Sequence, residues 1–306
     1  MSRVVGRYAP SPTGPLHFGS LIAALASFCQ AKAQGGLWRL RIDDLDTPRV
    51  VAGADRAIID TLAAFGLEHD GPVMYQSRRD GAYAEAIAEL KQRALAFDCA
   101  CTRREARSGP VGSEGPVYPG TCRHGLPPGR AARSVRLAVE AEIISVGDLI
   151  QGECRQNLSR DIGDFVIRRA DGITAYQLAT VIDDAAQGVT EVVRGSDLLS
   201  STPRQIWIYR CLDIVAVPRY AHIPVVVDVH GDKLGKSTGA LALEARQRAA
   251  QLTECLALLG QQPPAWLARQ SVSSVIAWAV DHWQTAAVPQ QMTCRRATGH
   301  EPQPGG

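Results

Sequence analysis

Arg7-Tyr8-Ala9-Pro10-Ser11-Pro12-Thr13-Gly14-Pro15-Leu16-His17-Phe18-Gly19-Ser20 runs straight into the apolar segment Leu21-Ile22-Ala23-Ala24-Leu25-Ala26. Val4 to Tyr8 reads as a strand, and the helix that follows continues to about Gln34, where Gly35-Gly36 stops it. Leu37 to Ile42 reads as a second strand, closed by Asp43, Asp44 and Asp46. That order is a βαβ unit, with its crossover helix on one face of a parallel sheet. Between strand and helix, Pro10, Pro12 and Pro15 restrict the backbone, while Gly14 and Gly19 let it approach a ligand. Helix-terminal N–H groups favour a phosphate there, and His17 offers a donor to charge developing on leaving pyrophosphate. On residue types alone, a Pro-rich turn with a solvent-facing histidine is the competing reading. A second phosphate-facing element comes late, in Asp232-Lys233-Leu234-Gly235-Lys236-Ser237, where Gly235 lets two lysines close over a nucleotide.

With 306 residues, 45% hydrophobic and 21% charged, the chain has the makings of a large soluble enzyme. A net charge of +2 does not by itself argue for nucleic acid. Its local distribution says more: Arg103, Arg104, Arg107, Arg123, Arg130, Arg133 and Arg136 face only Glu105 and Glu114 between residues 101 and 136. That cluster is either a solvated loop or a phosphate-facing patch. No apolar run reaches the roughly 18 residues of a membrane span, and Met1-Ser2-Arg3 enters a strand instead of a secretory leader. A cytoplasmic protein without membrane contact is expected.

Helical stripes follow at Ala57 to Phe65 and Tyr83 to Ala96. Residues 99–136 then break the rhythm with Gly, Pro, Ser and Arg, a length of coreless chain that calls for another source of order. Asp164 to Arg169 and Ile173 to Tyr176 predict a hairpin around Asp171-Gly172. Tyr176 to Asp184 reads as a helix, Val189 to Val193 as a strand, Thr202 to Leu212 as a helix and Ile223 to Asp228 as a strand. Leu241 to Leu259 and Val272 to Trp283 read as amphipathic helices, and Gly299 to Gly306 as a disordered tail.

Six ordered blocks carry a resemblance. Arg7 to Gly14, His17 to Ser20, Arg41-Ile42-Asp43-Asp44-Leu45-Asp46, Tyr176-Gln177-Leu178-Ala179 with Asp183-Asp184, Arg194-Gly195-Ser196-Asp197-Leu198 with Thr202-Pro203-Arg204-Gln205, and Lys233 to Ser237 are similar to the glutamyl-tRNA synthetases. These are class I aminoacyl-tRNA synthetases. Two departures, Ser20 where the first motif normally ends in histidine and only two modest helices after Ser237, resemble the stand-alone catalytic-domain branch, the glutamyl-Q tRNA(Asp) synthetases. The resemblance implies an α/β, Rossmann-like class I catalytic domain with an inserted zinc-bearing subdomain and a short helical C-terminal appendage. Its expected parts are 1–98, the first part of the catalytic domain; 99–136, the zinc-bearing insertion in a larger connective subdomain; 137–237, the remainder of both; and 238–306, the appendage. It also implies that L-glutamate is activated with ATP, accompanied by Mg²⁺ without an assignable protein ligand, and transferred to queuosine at the wobble position of tRNA(Asp). No obligate protein partner is expected. The competing functions are a truncated enzyme charging a tRNA acceptor end and a non-catalytic tRNA-binding paralogue.

Glutamate offers one ammonium and two carboxylates, so a selective site needs a fixed acid and at least one fixed base; guanidinium groups clamp carboxylates bidentately. The resemblance places Arg7, Ser11, Asp43, Tyr176 and Arg194 around the amino acid, with Asp43 a methylene shorter than the glutamate of most relatives. ATP falls to Pro10, Gly14, His17, Gly19, Ser20 and Lys236. His17 and Lys236, with Lys233 assisting, are the expected transition-state stabilisers, since phosphoryl transfer needs positioning and charge more than covalent chemistry. Read without the resemblance, Tyr176 could be a core aromatic, Asp43 and Asp46 helix caps, and Asp183 and Asp184 helix-surface charges.

Cys99, Cys101 and Cys122 read either as a three-thiolate set for one structural zinc or as ordinary free thiols. Spacing alone offers His124 as the fourth ligand, through Cys122-x-His124. The resemblance implies Tyr118 instead, and Tyr118 is the expected ligand.

Overall fold

The structure, a computed structural model, describes residues 3–227 and 243–295. Lys233 and Lys236, the first residues of the helix expected from Leu241, and the tail from Gly299 lie outside the described residues.

The βαβ unit is present. β1 (Val5–Tyr8) pairs in parallel with β2 (Leu37–Ile42) across α1 (Phe18–Lys32). The turn from α1 into β2 is tight enough to exclude a side chain at Gly36, where a Cβ would stand 2.6 Å from the Val4 carbonyl oxygen. α2 (Ala54–Ala64) turns Ile58 and Leu62 inward, and β3 (Met74–Tyr75) extends the sheet in the order β1-β2-β3. α3 (Asp80–Gln92) is shorter than its stripe predicts: Ala94 takes a left-handed φ of 56°, and Ala96 opens β4 (Ala96–Cys99).

The stretch 99–136 carries little regular structure. It holds α4 (Arg103–Ala106), started by a capping box between Thr102 and Glu105, then β5 (Val111–Gly112) and β6 (Gly115–Pro116). β7 (Ser134–Leu137) sits between β4 and β10, antiparallel to both. A hairpin of β8 (Ile143–Asp148) and β9 (Gly152–Asn157) precedes α5 (Leu158–Asp161) and β10 (Phe165–Arg168). The hairpin expected around Asp171-Gly172 is present but short: one antiparallel bridge joins Arg168 to Thr174, flanked by the Arg169 N–H donating to Ile173 O at 2.8 Å and the Ala175 N–H to Ile167 O at 2.9 Å.

α6 (Tyr176–Ala186), β11 (Glu191–Gly195) and α7 (Thr202–Cys211) follow. β12 (Arg219–Ile223) lies parallel to β11, in a sheet ordered β11-β12-β8-β9. The strand expected over Ile223 to Asp228 breaks at Pro224, which has no N–H for the ladder; β13 (Val225–Val227) pairs instead with β14 (Thr293–Arg295). α8 (Arg248–Leu258) and α9 (Val272–His282) lie between them in sequence.

One apolar core joins Leu21, Leu25, Trp38 and Ile58 to Leu252, Leu256 and Val275, so α8 and α9 close the same core as β1 and β2. A second core lies among β7, β8, α6 and α7. The two sheets meet where the Thr190 N–H donates to Val5 O and the Val5 N–H to Thr190 Oγ1, both at 2.9 Å. That seam sets β11 beside β1. Arg7 and Arg194 therefore emerge near the carboxyl ends of neighbouring strands, where open α/β sheets bind ligands.

Candidate active site

A cleft of about 270 Å³ opens at that seam, lined among others by Arg7, Pro10, Ser11, Gly14, His17, Gly19, Ser20, Tyr176 and Arg194. Residues expected around glutamate and residues expected around ATP thus share one space. Its floor is built locally. Gly14 adopts φ 134°, a conformation other residues rarely take, and the Asp43 N–H donates to Pro10 O at 3.0 Å, tying the turn to the end of β2. His17 caps α1: its Nδ1 accepts the Ser20 N–H at 3.2 Å. A neutral ring accepting at Nδ1 carries its proton on Nε2, the tautomer that donation to a phosphoryl oxygen requires.

Tyr176, at the start of α6, is 38% exposed, so it is a cleft wall and not a core aromatic. The buried Arg194 on β11 donates from Nη1 toward the Tyr176 hydroxyl at 3.5 Å and from Nη2 to Thr202 Oγ1 at 2.8 Å and Leu198 O at 3.3 Å. Its Nε donates to His222 Nε2 at 3.0 Å.

Behind Arg7 lies a buried chain of alternating charge. Arg7 Nε donates to Asp184 Oδ1 at 3.3 Å, Arg41 Nη1 to the same oxygen at 2.5 Å, and Arg41 Nε to Asp43 Oδ1 at 2.7 Å. Asp43 is thus engaged with Arg41 and is absent from the cleft lining. Burial pushes the Asp184 carboxyl up, but Arg7 and Arg41 outweigh it and hold the group below its ordinary value. For Asp43 burial prevails over Arg41 and Arg7, and its value is raised. Asp183 accepts from Tyr83 Oη at 2.6 Å, Gln76 Nε2 at 2.9 Å and Arg79 Nε at 3.0 Å. The surface-charge reading of Asp183 and Asp184 is therefore corrected: both are buried and pin α6 to its neighbours.

Sequence reasoning passed over Arg41, Asp148 and His222 as members of this site. Arg41 had a signal, a charge within the otherwise apolar end of Leu37 to Ile42. His222 and Asp148 had none, being 74 residues apart and joined only by folding.

The cysteines gather as expected. Cys99, Cys101 and Cys122 are buried, with their sulfurs within 4.8 Å of one another. A tetrahedral zinc with Zn–S of about 2.3 Å has sulfur–sulfur edges of about 3.8 Å, and Cys101 and Cys122 Sγ stand 3.7 Å apart. The Tyr118 hydroxyl lies 3.4 Å from Cys99 Sγ and 3.6 Å from Cys101 Sγ, against sulfur–oxygen edges of about 3.5 Å in such a site. The donors accommodate a tetrahedral ion. His124 is exposed and outside the cluster. Arg136 stacks over the Tyr118 ring at 3.8 Å and donates to Cys99 Sγ at 3.4 Å. Burial opposes ionisation of Cys99, but donation from Tyr118 and Arg136 brings the thiol down to about 7.

The arginine cluster divides. Arg123 pairs with Asp164 and Arg130 with Glu105, holding the module together, while Arg103, Arg104, Arg107 and Arg133 are exposed at its surface.

Fold and cleft are those of a class I aminoacyl-tRNA synthetase: the family model for "tRNA synthetases class I (E and Q), catalytic domain" matches residues 3–261. A glutamate–tRNA ligase from Elizabethkingia meningosepticum, solved in complex with its amino acid, superposes with a TM-score of 0.79 at 25% identity, over 96% of this chain and 67% of its own. The glutamyl-Q tRNA(Asp) synthetase of Dechloromonas aromatica is 54% identical over 289 residues, 94% of this chain and 96% of that protein. That of Pseudomonas aeruginosa PAO1 is 48% identical over 292 residues, 95% of this chain and 97% of its own. This chain belongs to the glutamyl-Q tRNA(Asp) synthetase family. No described helix is long and apolar enough to cross a membrane.

Proposed function

We propose that this enzyme activates L-glutamate with ATP as glutamyl-adenylate and transfers it to queuosine at the wobble position of tRNA(Asp), working in the cytoplasm. The observation that carries the reading is the cleft in which Arg7, Tyr176 and Arg194 face the His17-capped start of α1. Two guanidinium groups suit a substrate with two carboxylates, and the helix start suits phosphate. Ser11 lines the amino-acid end, and Asp43 acts from behind the lining, adding negative charge on the ammonium side. The α-carboxylate attacks the α-phosphorus and pyrophosphate leaves. His17 Nε2–H donates to the phosphoryl oxygens, Lys236 and Lys233 add positive charge, and Pro10, Gly14, Gly19 and Ser20 shape the nucleotide seat. Mg²⁺ accompanies ATP.

Zinc is the ion that Cys99, Cys101, Tyr118 and Cys122 hold, in a structural role, since four protein donors leave no position open for chemistry. The exposed arginines near it suit the phosphates of a tRNA arm. The test is labelled glutamate offered with ATP to queuosine-containing and queuosine-free tRNA(Asp). Label on the first alone supports the reading, and label on both or on neither refutes it.

A further inference from the structure

Arg7 and Arg194 line one cleft but are held in opposite ways. Arg7 meets a carboxylate directly, at Asp184. Arg194 pairs with no carboxylate among the described residues: its Nε–H is received by the His222 ring, and the acid stands one imidazole further back, with His222 Nδ1 2.6 Å from Asp148 Oδ2. We propose that His222 is a positioning residue for glutamate, fixing the plane of Arg194 through a neutral ring so that the guanidinium keeps its charge for a substrate carboxylate. This rests on the functional reading above.

The protonation pattern follows from the partners. Arg194 Nε can only donate, so His222 Nε2 must accept and Nδ1 must carry the proton. Asp148, which can only accept when ionised, is placed to receive it. Burial of His222 disfavours its charged form, and the neighbouring Arg194 does the same, against the opposing pull of Asp148. A carboxylate in place of the ring would compete with the substrate for Arg194, as Asp184, shared with Arg41, does in part at Arg7. A neutral acceptor orients it without that competition. With Nε on His222 and Nη2 on Thr202 and Leu198, the edge that remains toward Tyr176 and the cleft is Nη1.

Asp148 makes this testable by a change of one atom. Its Oδ1 accepts three backbone N–H groups, from Ile150 at 3.0 Å, Gln151 at 2.8 Å and His222 at 3.1 Å. In Asp148→Asn the amide oxygen must keep those donors, which turns the NH₂ toward His222 Nδ1. The ring then carries its proton on Nε2, facing the Nε–H of Arg194, and the two donors repel.

The experiment measures KM for glutamate and for ATP in glutamate-dependent ATP–pyrophosphate exchange by the full chain, with ¹⁵N shifts reporting the His222 tautomer. Asp148→Asn should move the proton to Nε2 and raise KM for glutamate roughly tenfold or more, the worth of one hydrogen bond to a charged group, with KM for ATP unchanged. His222→Leu should do the same to both KM values. His222→Gln, whose amide oxygen replaces Nε2 as acceptor, should return KM for glutamate to within about threefold of wild type. A moved proton with an unaltered KM for glutamate overturns the proposal, as does an equal rise in both KM values. If the wild type itself shows no glutamate dependence, the functional reading fails first and this role with it.

Discussion

Arg7 and Asp184 meet at 3.3 Å in a nearly dry seam, so the first strand of the chain is fastened by charge to a helix far along the sequence. Asp184 also receives Arg41, and the three groups with Asp43 form a buried set of two positive and two negative charges. Such a set gains little over an apolar core, but it is costly to break, because removal of one member strands the others without water.

Asp184→Ala should therefore destabilise the protein by about 3–5 kcal/mol, measured by urea unfolding at neutral pH. The pH dependence has a definite sign. Asp184 is held below its ordinary carboxylate value in the fold, so the unfolded chain takes up its proton first as pH falls. The Asp184 contribution is complete above about pH 4, the unfolded value, and is lost as pH drops through the folded value. Wild type and variant should accordingly differ most near neutrality and converge in acid; a pH-independent gap would remove this account.

Catalysis supplies a second expectation. Lys236→Ala should lower ATP–pyrophosphate exchange by roughly 10²–10³-fold, the loss typical of one charge-stabilising donor, while glutamate affinity changes little. His17→Ala should fall in the same range and also fray the start of α1, whose Ser20 N–H it receives. An undiminished exchange rate in Lys236→Ala would take that residue out of the chemistry.

Much of the fold was readable beforehand, and the reasons are physical. The βαβ unit and its Pro- and Gly-rich turn are local, set by Gly and Pro spacing and by one apolar run between two strands. The thiolate cluster was visible for the same reason, since Cys99 and Cys101 are two residues apart in a stretch with no core of its own. What escaped notice was polar contact across long separations. Nothing near Asp184 in the sequence announces that Arg7 and Arg41 will bury it, and nothing near His222 announces Asp148. The break at Pro224 is legible in the sequence, since proline inside a strand argues against an uninterrupted ladder.

The metal module gives a third test. Elemental analysis should find about one zinc per chain, lost in Cys101→Ser together with order across residues 99–136. Tyr118→Phe should weaken zinc retention more than His124→Ala, because the Tyr118 hydroxyl stands at the sulfurs and His124 does not. The reverse ranking would transfer the fourth position to His124.

The acceptor gives a fourth. Periodate, which cleaves the queuosine diol, should abolish acceptance of glutamate by tRNA(Asp), whereas removal of the 3′-terminal adenosine should leave it intact. Single-stranded loops expose bases to a pocket in a way that duplex stems do not. Label that depends on the terminal adenosine and ignores queuosine would identify an acceptor-end synthetase.

Pairing of β13 with β14 has a consequence for anyone handling the protein. Val225 to Val227 lead in sequence into the segment that carries Lys233 and Lys236, and their ladder partner is Thr293 to Arg295, far along the sequence. Cys294 and Val226 are part of the same core as the first strand. β14 is thus a handle on β13: a cut or a deletion across Thr293 to Arg295 removes the ladder partner of the strand that precedes Lys233 and Lys236 in sequence, however remote the two stretches look on a linear map.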